Sequence, residues 1–189
     1  MQNPFELVVR IMWSAFKQTT SDWADIRNNT KVHTFYWIHE GKGIFYTNRR
    51  HDVYQGMLFY MKPGTPMKME SAEGAPLAIS MILFECCELT YTESRWHMPE
   101  LVHQLPIPFA SRCKGSSGME LDHAFNQITT AWSMGNPYKE LESNADLLKL
   151  IAYLNQPALF PEQQDVYSVY LKIKEILEIR YADMQRGCR

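Results

Sequence analysis

Six histidines and four cysteines are the residues of this 189-residue chain best suited to metal or nucleophilic chemistry, and their spacing tests whether either is built in. The histidines are His33, His39, His51, His97, His103 and His123. No two form a His-x-His pair, whereas an open metal site needs about three ligands that converge. Between Gly43 and Pro63 only His51 occurs, beside a polar turn. Cys86 and Cys87 are adjacent and would point to opposite faces of a strand, while Cys113 and Cys188 stand alone, so all four read as reduced structural thiols. There is no Gly-x-Ser-x-Gly elbow, and Gly41-Lys42-Gly43 is too short to cradle a phosphate. Glu85 and Glu88 read as solvated acids at a strand end. These patterns predict no catalytic residue, no metal and no cofactor.

What the chain does carry is a set of amphipathic aromatics and methionines on short apolar runs: Tyr36, Trp37, Tyr46, Tyr60, Met67, Met69 and Met81. Small-molecule pockets are mostly apolar with a few placed polar groups, and tyrosine supplies both in one side chain. Strand parity puts Tyr36, Ile38 and Glu40 on one face, Met67 with Met69, and Ile79 with Met81. Each of these residues can equally fill a core.

The elements that would position them divide the chain in two. Before about residue 110, aromatic and β-branched runs alternate with glycine and proline, the rhythm of an all-β domain. Strands are predicted from Phe5 to Phe16, Thr34 to His39, Ile44 to Thr47, His51 to Gln55, Met57 to Met61, Met67 to Ser71 and Leu77 to Phe84. A hairpin is expected at Glu40-Gly41-Lys42-Gly43, and 18–31 reads as a long polar surface connection. From Ser117 onward the spacing becomes helical. Ser117-Gly118-Met119-Glu120 has the form of a capping box ahead of Leu121, Phe125, Ile128 and Trp132. Gly135 closes that helix, and Pro137 opens a second with Leu147, Leu150, Ile151 and Leu154 on one stripe. A third is expected after Pro161. The formal charge of -2 leaves no electrostatic footprint for nucleic acid. No amino-terminal signal or run of about 18 apolar residues is present, which predicts a cytoplasmic chain without a membrane span.

Two stretches resemble a known family: Tyr36-Trp37-Ile38-His39-Glu40-Gly41-Lys42-Gly43, and Val53-Tyr54-Gln55-Gly56-Met57-Leu58-Phe59-Tyr60-Met61-Lys62-Pro63-Gly64-Thr65-Pro66. They are similar to the sensor and dimerisation half of AraC-type bacterial transcription regulators, with Met57 where an aspartate is usual. Trp132-Ser133-Met134-Gly135-Asn136-Pro137-Tyr138 and the leucine-rich stretch to Leu154 resemble the helical segment that follows the barrel in that family. The resemblance implies an α+β chain: a cupin-like antiparallel β-barrel (jelly roll) with an N-terminal arm over 1–112, then a helical dimerisation and linker region over 113–189.

The implied function is that of a ligand sensor rather than an enzyme, holding a small-molecule effector, a sugar among the candidates, in a metal-free barrel. The ligand-binding set is then Tyr36, Ile38, Glu40, Tyr46, Tyr60, Met67, Met69 and Met81, with Glu40 at the pocket mouth or simply an exposed turn residue. Leu147, Leu150, Ile151 and Leu154 would form a homodimer contact or pack on their own barrel. The segment from Thr19 to Lys31 would close over the barrel mouth as a lid. DNA would be read only through a C-terminal helix-turn-helix domain absent from this chain, and Leu171 to Ile176 is linker or the start of that domain. The alternative is a metal-dependent cupin enzyme, an isomerase or dioxygenase.

Overall fold

The computed structural model describes residues 5–27, 31–156 and 159. In chain order the strands are β1 (Phe5–Gln18), β2 (Ala24–Arg27), β3 (His33–Glu40), β4 (Lys42–Tyr46), β5 (Arg50–Tyr54), β6 (Met57–Met61), β7 (Met67–Ser71), β8 (Ala78–Thr92), β9 (Arg95–Trp96), β10 (Glu100–Leu101) and β11 (Ala110–Arg112). Two helices follow, α1 (Gly115–Ser133) and α2 (Pro137–Leu154). Antiparallel pairing builds two sheets, one ordered β1-β8-β3-β6-β11 with β9 and β10 on the far end of β8, the other ordered β2-β7-β4-β5. This is a cupin-like jelly roll, α+β overall. Among the described residues no ladder joins the two sheets, so the expected barrel is a sandwich of two sheets and is not closed.

The expected hairpin at Gly41 is corrected by this topology. Strand β3 pairs with β6 and β8, and β4 with β5 and β7, so the chain changes sheets at Gly41 instead of doubling back. Gly41 takes φ +88, and a Cβ there would lie 2.1 Å from the Pro76 carbonyl oxygen. Gly43 has a different role from the turn residue expected: it sits within β4, where a Cβ would lie 2.3 Å from the Glu70 carbonyl oxygen. Gly56, at φ +76, stands at another change of sheet, between β5 and β6.

Alternation along β3 creates two apolar layers. Tyr36 and Ile38 face the smaller sheet, opposite Met81 and Ile79 on β8, while Phe35 and Trp37 face α1. Phe125 of α1 packs edge-on to Phe35 at 6.4 Å and stacks on Trp37 at 6.0 Å. Full burial of a phenylalanine of this kind is worth about 2 kcal/mol, which anchors the helix to the sheet.

Helix α1 begins earlier than its sequence suggests. Its N-cap is Lys114, with no side-chain cap bond, and Ser117 and Glu120 lie inside the first turns, so the expected capping box is not formed. The Tyr153 side chain on α2 lies near Ser117 and Glu120 instead. Leu121, Phe125 and Ile128 are buried as expected; Trp132 is half-buried. Gly135 takes φ +61 after the last turn, and the Asn136 side chain accepts the Lys139 amide at 3.0 Å to start α2.

Of the cysteines, Cys86, Cys87 and Cys113 are free thiols; burial pushes Cys86 up to about 12, which keeps it protonated and unreactive. None of the described helices is long and apolar enough to cross a membrane. The strands, α1 and most of α2 lie in one compact unit, Met1–Tyr153. The third predicted helix, Leu171 to Ile176 and Cys188 lie outside the described residues.

Candidate functional site

The space between the sheets gathers five of the eight predicted ligand residues. Tyr36, Ile38, Met67, Met69 and Met81 are all buried there, in one cluster with Phe45, Val53, Phe59 and Ile79. Methionine is unbranched and repacks easily, so an interior lined by Met57, Met61, Met67, Met69 and Met81 is well suited to adapt to an occupant.

The other three do not join it. Tyr46 is opposite Lys68, whose ammonium sits 5.9 Å from the Tyr46 ring on the outer face of the smaller sheet, because Phe45 takes the inward position. Tyr60 faces α1 and stacks near His33, because Phe59 is the inward residue of β6. A register shift after Ile38 breaks the alternation that would have carried Glu40 inward, and Glu40 is exposed. Residue type nominated the two tyrosines, which parity places elsewhere; parity and the family resemblance nominated Glu40, which the bulge turns out.

Two residues that sequence reasoning missed face this interior. Strand β2 forms within what reads as a polar connection, and pairs Asp25 with Met69 and Arg27 with Met67. Directly opposed residues of an antiparallel pair share a face, so Asp25 and Arg27 face inward; both are half-buried, while Ala24 and Ile26 are exposed. Arg27 Nη2 bonds Asp25 Oδ2 at 2.8 Å, and the buried Arg27 Nε has no hydrogen-bond partner. The Tyr36 hydroxyl feels both charges, and burial pushes it up to about 12. The only sequence signal was the alternation Ala24-Asp25-Ile26-Arg27, with its polar residues on the unexpected side. The lid reading also needs correction up to Arg27. Thr19 Oγ1 bonds Ser71 and the Leu77 carbonyl at 2.7 and 2.9 Å, and β2 is a ladder strand, so this segment is wall.

A sequence model described as the AraC-like ligand binding domain matches residues 16–151, from the end of β1 through the rest of the sandwich, α1 and most of α2. The chain belongs to the AraC-like ligand-binding family. Its solved structural neighbours are distant. ToxT from Vibrio cholerae O395 bound to (E)-4-(8-methylnaphthalen-1-yl)but-3-enoic acid is 10% identical, with TM-score 0.43 over 85% of this chain and 58% of that one. A predicted oxalate decarboxylase from Thermotoga maritima is 14% identical, with TM-score 0.37 over 39% and 66%. The polyketide cyclase RemF from Streptomyces resistomycificus is 8% identical, with TM-score 0.34 over 60% and 80%. The aligned part is less than two thirds of the ToxT chain and of the Thermotoga protein. No curated protein matches significantly.

On the opposite face of the larger sheet, this AraC-like domain brings together residues that the sequence keeps far apart. His39 Nδ1 bonds Asp122 Oδ1 at 2.6 Å and His39 Nε2 bonds Ser80 Oγ at 2.8 Å. That is the atom order of a nucleophilic triad. Ser80 is 0% exposed, beneath a sheet face that also carries Phe16 and Trp37, so no substrate carbonyl can reach its oxygen. The array works as a latch instead. Asp122 Oδ1 also accepts the Trp37 indole N–H at 3.0 Å, and Oδ2 accepts Asn126, so one carboxylate on α1 holds two side chains of β3. Among the described residues no three His, Cys, Asp or Glu side chains are grouped to hold a metal ion.

A second network buries His33, 2% exposed. Its Nε2 lies 2.7 Å from the Val102 carbonyl, which can only accept, so Nε2 carries the proton and Nδ1 accepts the Tyr60 hydroxyl at 2.8 Å. The Tyr60 oxygen in turn accepts the Leu105 amide at 2.8 Å. Desolvation holds the His33 pKa below its ordinary 6.5, only partly offset by the Val102 bond. Protons therefore bind the unfolded chain more readily. Stability contributed by neutral His33 is complete above pH 6.5 and is lost as pH falls below it, by at most about 1.4 kcal/mol per unit. Urea midpoints from pH 7.5 down to 5 are expected to fall more steeply for the parent chain than for His33→Gln; parallel curves would refute this assignment.

The predicted dimer stripe is also placed. Leu147, Leu150, Ile151 and Leu154 are all buried within the single chain. On the outside of the helices, Met134, Tyr138 and Leu141 are exposed.

Proposed function

We propose that this chain is the ligand-sensing and dimerisation part of a bacterial AraC-type transcription regulator, cytoplasmic and without catalytic activity. A small-molecule effector occupies the space between the sheets, and its presence is passed to an attached helix-turn-helix domain that reads DNA. The observation that supports this reading is the inward cluster of Asp25, Arg27 and Tyr36 set over a methionine-rich interior. Turning charges toward an apolar interior opposes folding, and a buried guanidinium nitrogen without a partner opposes it further. An effector that completes the cluster recovers that energy, so occupancy stabilises the bound arrangement.

The lining favours an effector with an apolar body and one anionic or hydroxylated end. A sugar would need hydrogen bonds around its whole ring, and the polar groups here lie at one side. In this proposal 1–112 holds the effector with its N-terminal arm, and 113–189 serves dimerisation and linkage. Strand β3 is the route between them. Its inward residues Tyr36 and Ile38 meet the effector, while its outward residues Trp37 and His39 are bonded to Asp122 on α1. Transmission requires the effector to bind two arrangements of this strand with different affinity. A homodimer matches two DNA half-sites related by two-fold symmetry. A dimer built on Leu147, Leu150, Ile151 and Leu154 would exchange packing within a chain for packing between chains.

Titration with decanoate, as a probe with one carboxylate and an apolar tail, tests the interior. Saturable binding is expected, and Arg27→Ala should weaken it about tenfold or more, the worth of one charge-assisted hydrogen bond. A thermal melt of the variant controls for folding. Decanoate binding that ignores Arg27→Ala, or saturable binding of a monosaccharide instead, would reject this reading.

A further inference from the structure

Outside the sandwich interior, a groove of about 530 Å3 opens between β3, the β5–β6 turn and the start of α1. Its volume falls within the range of small-molecule sites. We propose that it is a second binding site, for a small organic anion carrying a carboxylate or phosphate group, separate from the effector space.

The charges on its wall select the ligand's sign. Arg112 and Lys114 both line the groove, and among the described residues neither has an ion pair. Arg112 is held with its guanidinium 4.5 Å over the Tyr54 ring, which orients the cation while leaving its N–H edge open to bond an anion. Asp122 is the one carboxylate on the wall, and its oxygens already accept Trp37, His39 and Asn126. The wall is therefore net positive, and its acid is occupied. His123 and Gln55 add further polar groups at the rim.

The backbone leaves room for close approach. Gly56, Gly115 and Gly118 all line the groove. A Cβ on Gly115 would meet nothing within 4 Å, so its backbone is open to the cavity. Gly56, at φ +76, is packed against the same segment, since a Cβ there would lie 2.9 Å from the Cys113 carbonyl oxygen, and a Cβ on Gly118 would come within 3.1 Å of that oxygen. Together they let the Cys113 turn pack closely beside the groove. The uncapped first turn of α1, with no acidic residue, adds to the positive field on this wall.

Occupancy here would be felt by the domain, because Trp37, His39, Asp122 and Asn126 of the latch form part of the wall. An anion drawn against Arg112 sits beside the hydrogen bonds that hold α1 to β3.

Amide NMR spectra of the 15N-labelled chain, titrated with phenyl phosphate, benzoate and phenol, test the site. The amides of Gly56, Gly115 and Gly118 are expected to shift saturably with phenyl phosphate or benzoate and not with phenol, and the stronger of the two anions identifies the head group. Arg112→Ala combined with Lys114→Ala replaces two exposed side chains and should weaken binding about tenfold or more. Arg27→Ala, which tests the sandwich interior, should leave these shifts unchanged. Equal shifts with phenol, no saturable shift with either anion, or full affinity in the double variant would overturn the proposal.

Discussion

Gly41→Ala is expected to lower stability by about 3–4 kcal/mol, combining the cost of a positive φ for alanine with that of forcing a methyl group into a packed backbone. Gly41 has φ +88, and the new Cβ would lie 2.1 Å from the Pro76 carbonyl oxygen and 2.9 Å from the Leu77 Cα. Neither neighbour is the end of a flexible side chain. Pro76 leads into β8, the strand that pairs with both β1 and β3, so a shift there is transmitted to the centre of the larger sheet. Gly64→Ala provides the comparison, because Gly64 has φ +79 and nothing within 4 Å of its Cβ position. It should cost only about 1 kcal/mol, the conformational part alone. Urea unfolding of the two variants separates the contributions. Equal losses would mean that the approach of the Pro76 carbonyl does not matter.

Tyr60→Phe is expected to cost about 2–4 kcal/mol, because two buried groups lose their partner together and each unmet group costs 1–3 kcal/mol. The hydroxyl donates to His33 Nδ1 and accepts the Leu105 amide, linking β6, β3 and the segment leading to β11. Phenylalanine keeps the ring contacts with His33 and Phe35, at 5.9 and 5.5 Å, so any loss reports the hydroxyl. The Leu105 amide should also exchange with solvent faster. Tyr46→Phe is the control: that tyrosine is half-buried on the outer face of the smaller sheet, and the change should stay within about 0.5 kcal/mol. If both variants melt alike, the His33–Tyr60–Leu105 network contributes nothing.

The legible parts of the site were those where residue type and strand parity agree. Met67 and Met69 are two apart on an apolar run with polar Lys68 between them, and the structure buries both and exposes Lys68. Tyr36 and Ile38 also share a face by parity, although Trp37 between them is itself apolar and buried, against α1. Tyr46 and Tyr60 were misread because each sits beside a phenylalanine in a run apolar on both sides, and such a run does not say which neighbour faces which layer. Phe45 and Phe59 take the inward positions at a ring separation of 4.8 Å, which leaves the amphipathic tyrosines to the outer faces. Asp25 and Arg27 were illegible for the opposite reason: a short strand with its charged residues inward has the pattern of a surface loop.

Local chemistry in the sequence determined where most strands begin and end, the start of α2 at Asn136-Pro137, and the helical faces carrying Leu121, Phe125 and Leu147. These depend on contacts within a few residues, and the side chains carry that information themselves. Only the tertiary structure decided that Gly41 changes sheets, that Asp25 and Arg27 face the interior, and that Ser80, His39 and Asp122 meet across 83 residues of chain at most. Strand partners are chosen by the whole sandwich. A one-residue difference in parity or register, such as the shift after Ile38 that turns Glu40 out, reverses a side chain's face without changing its local preference.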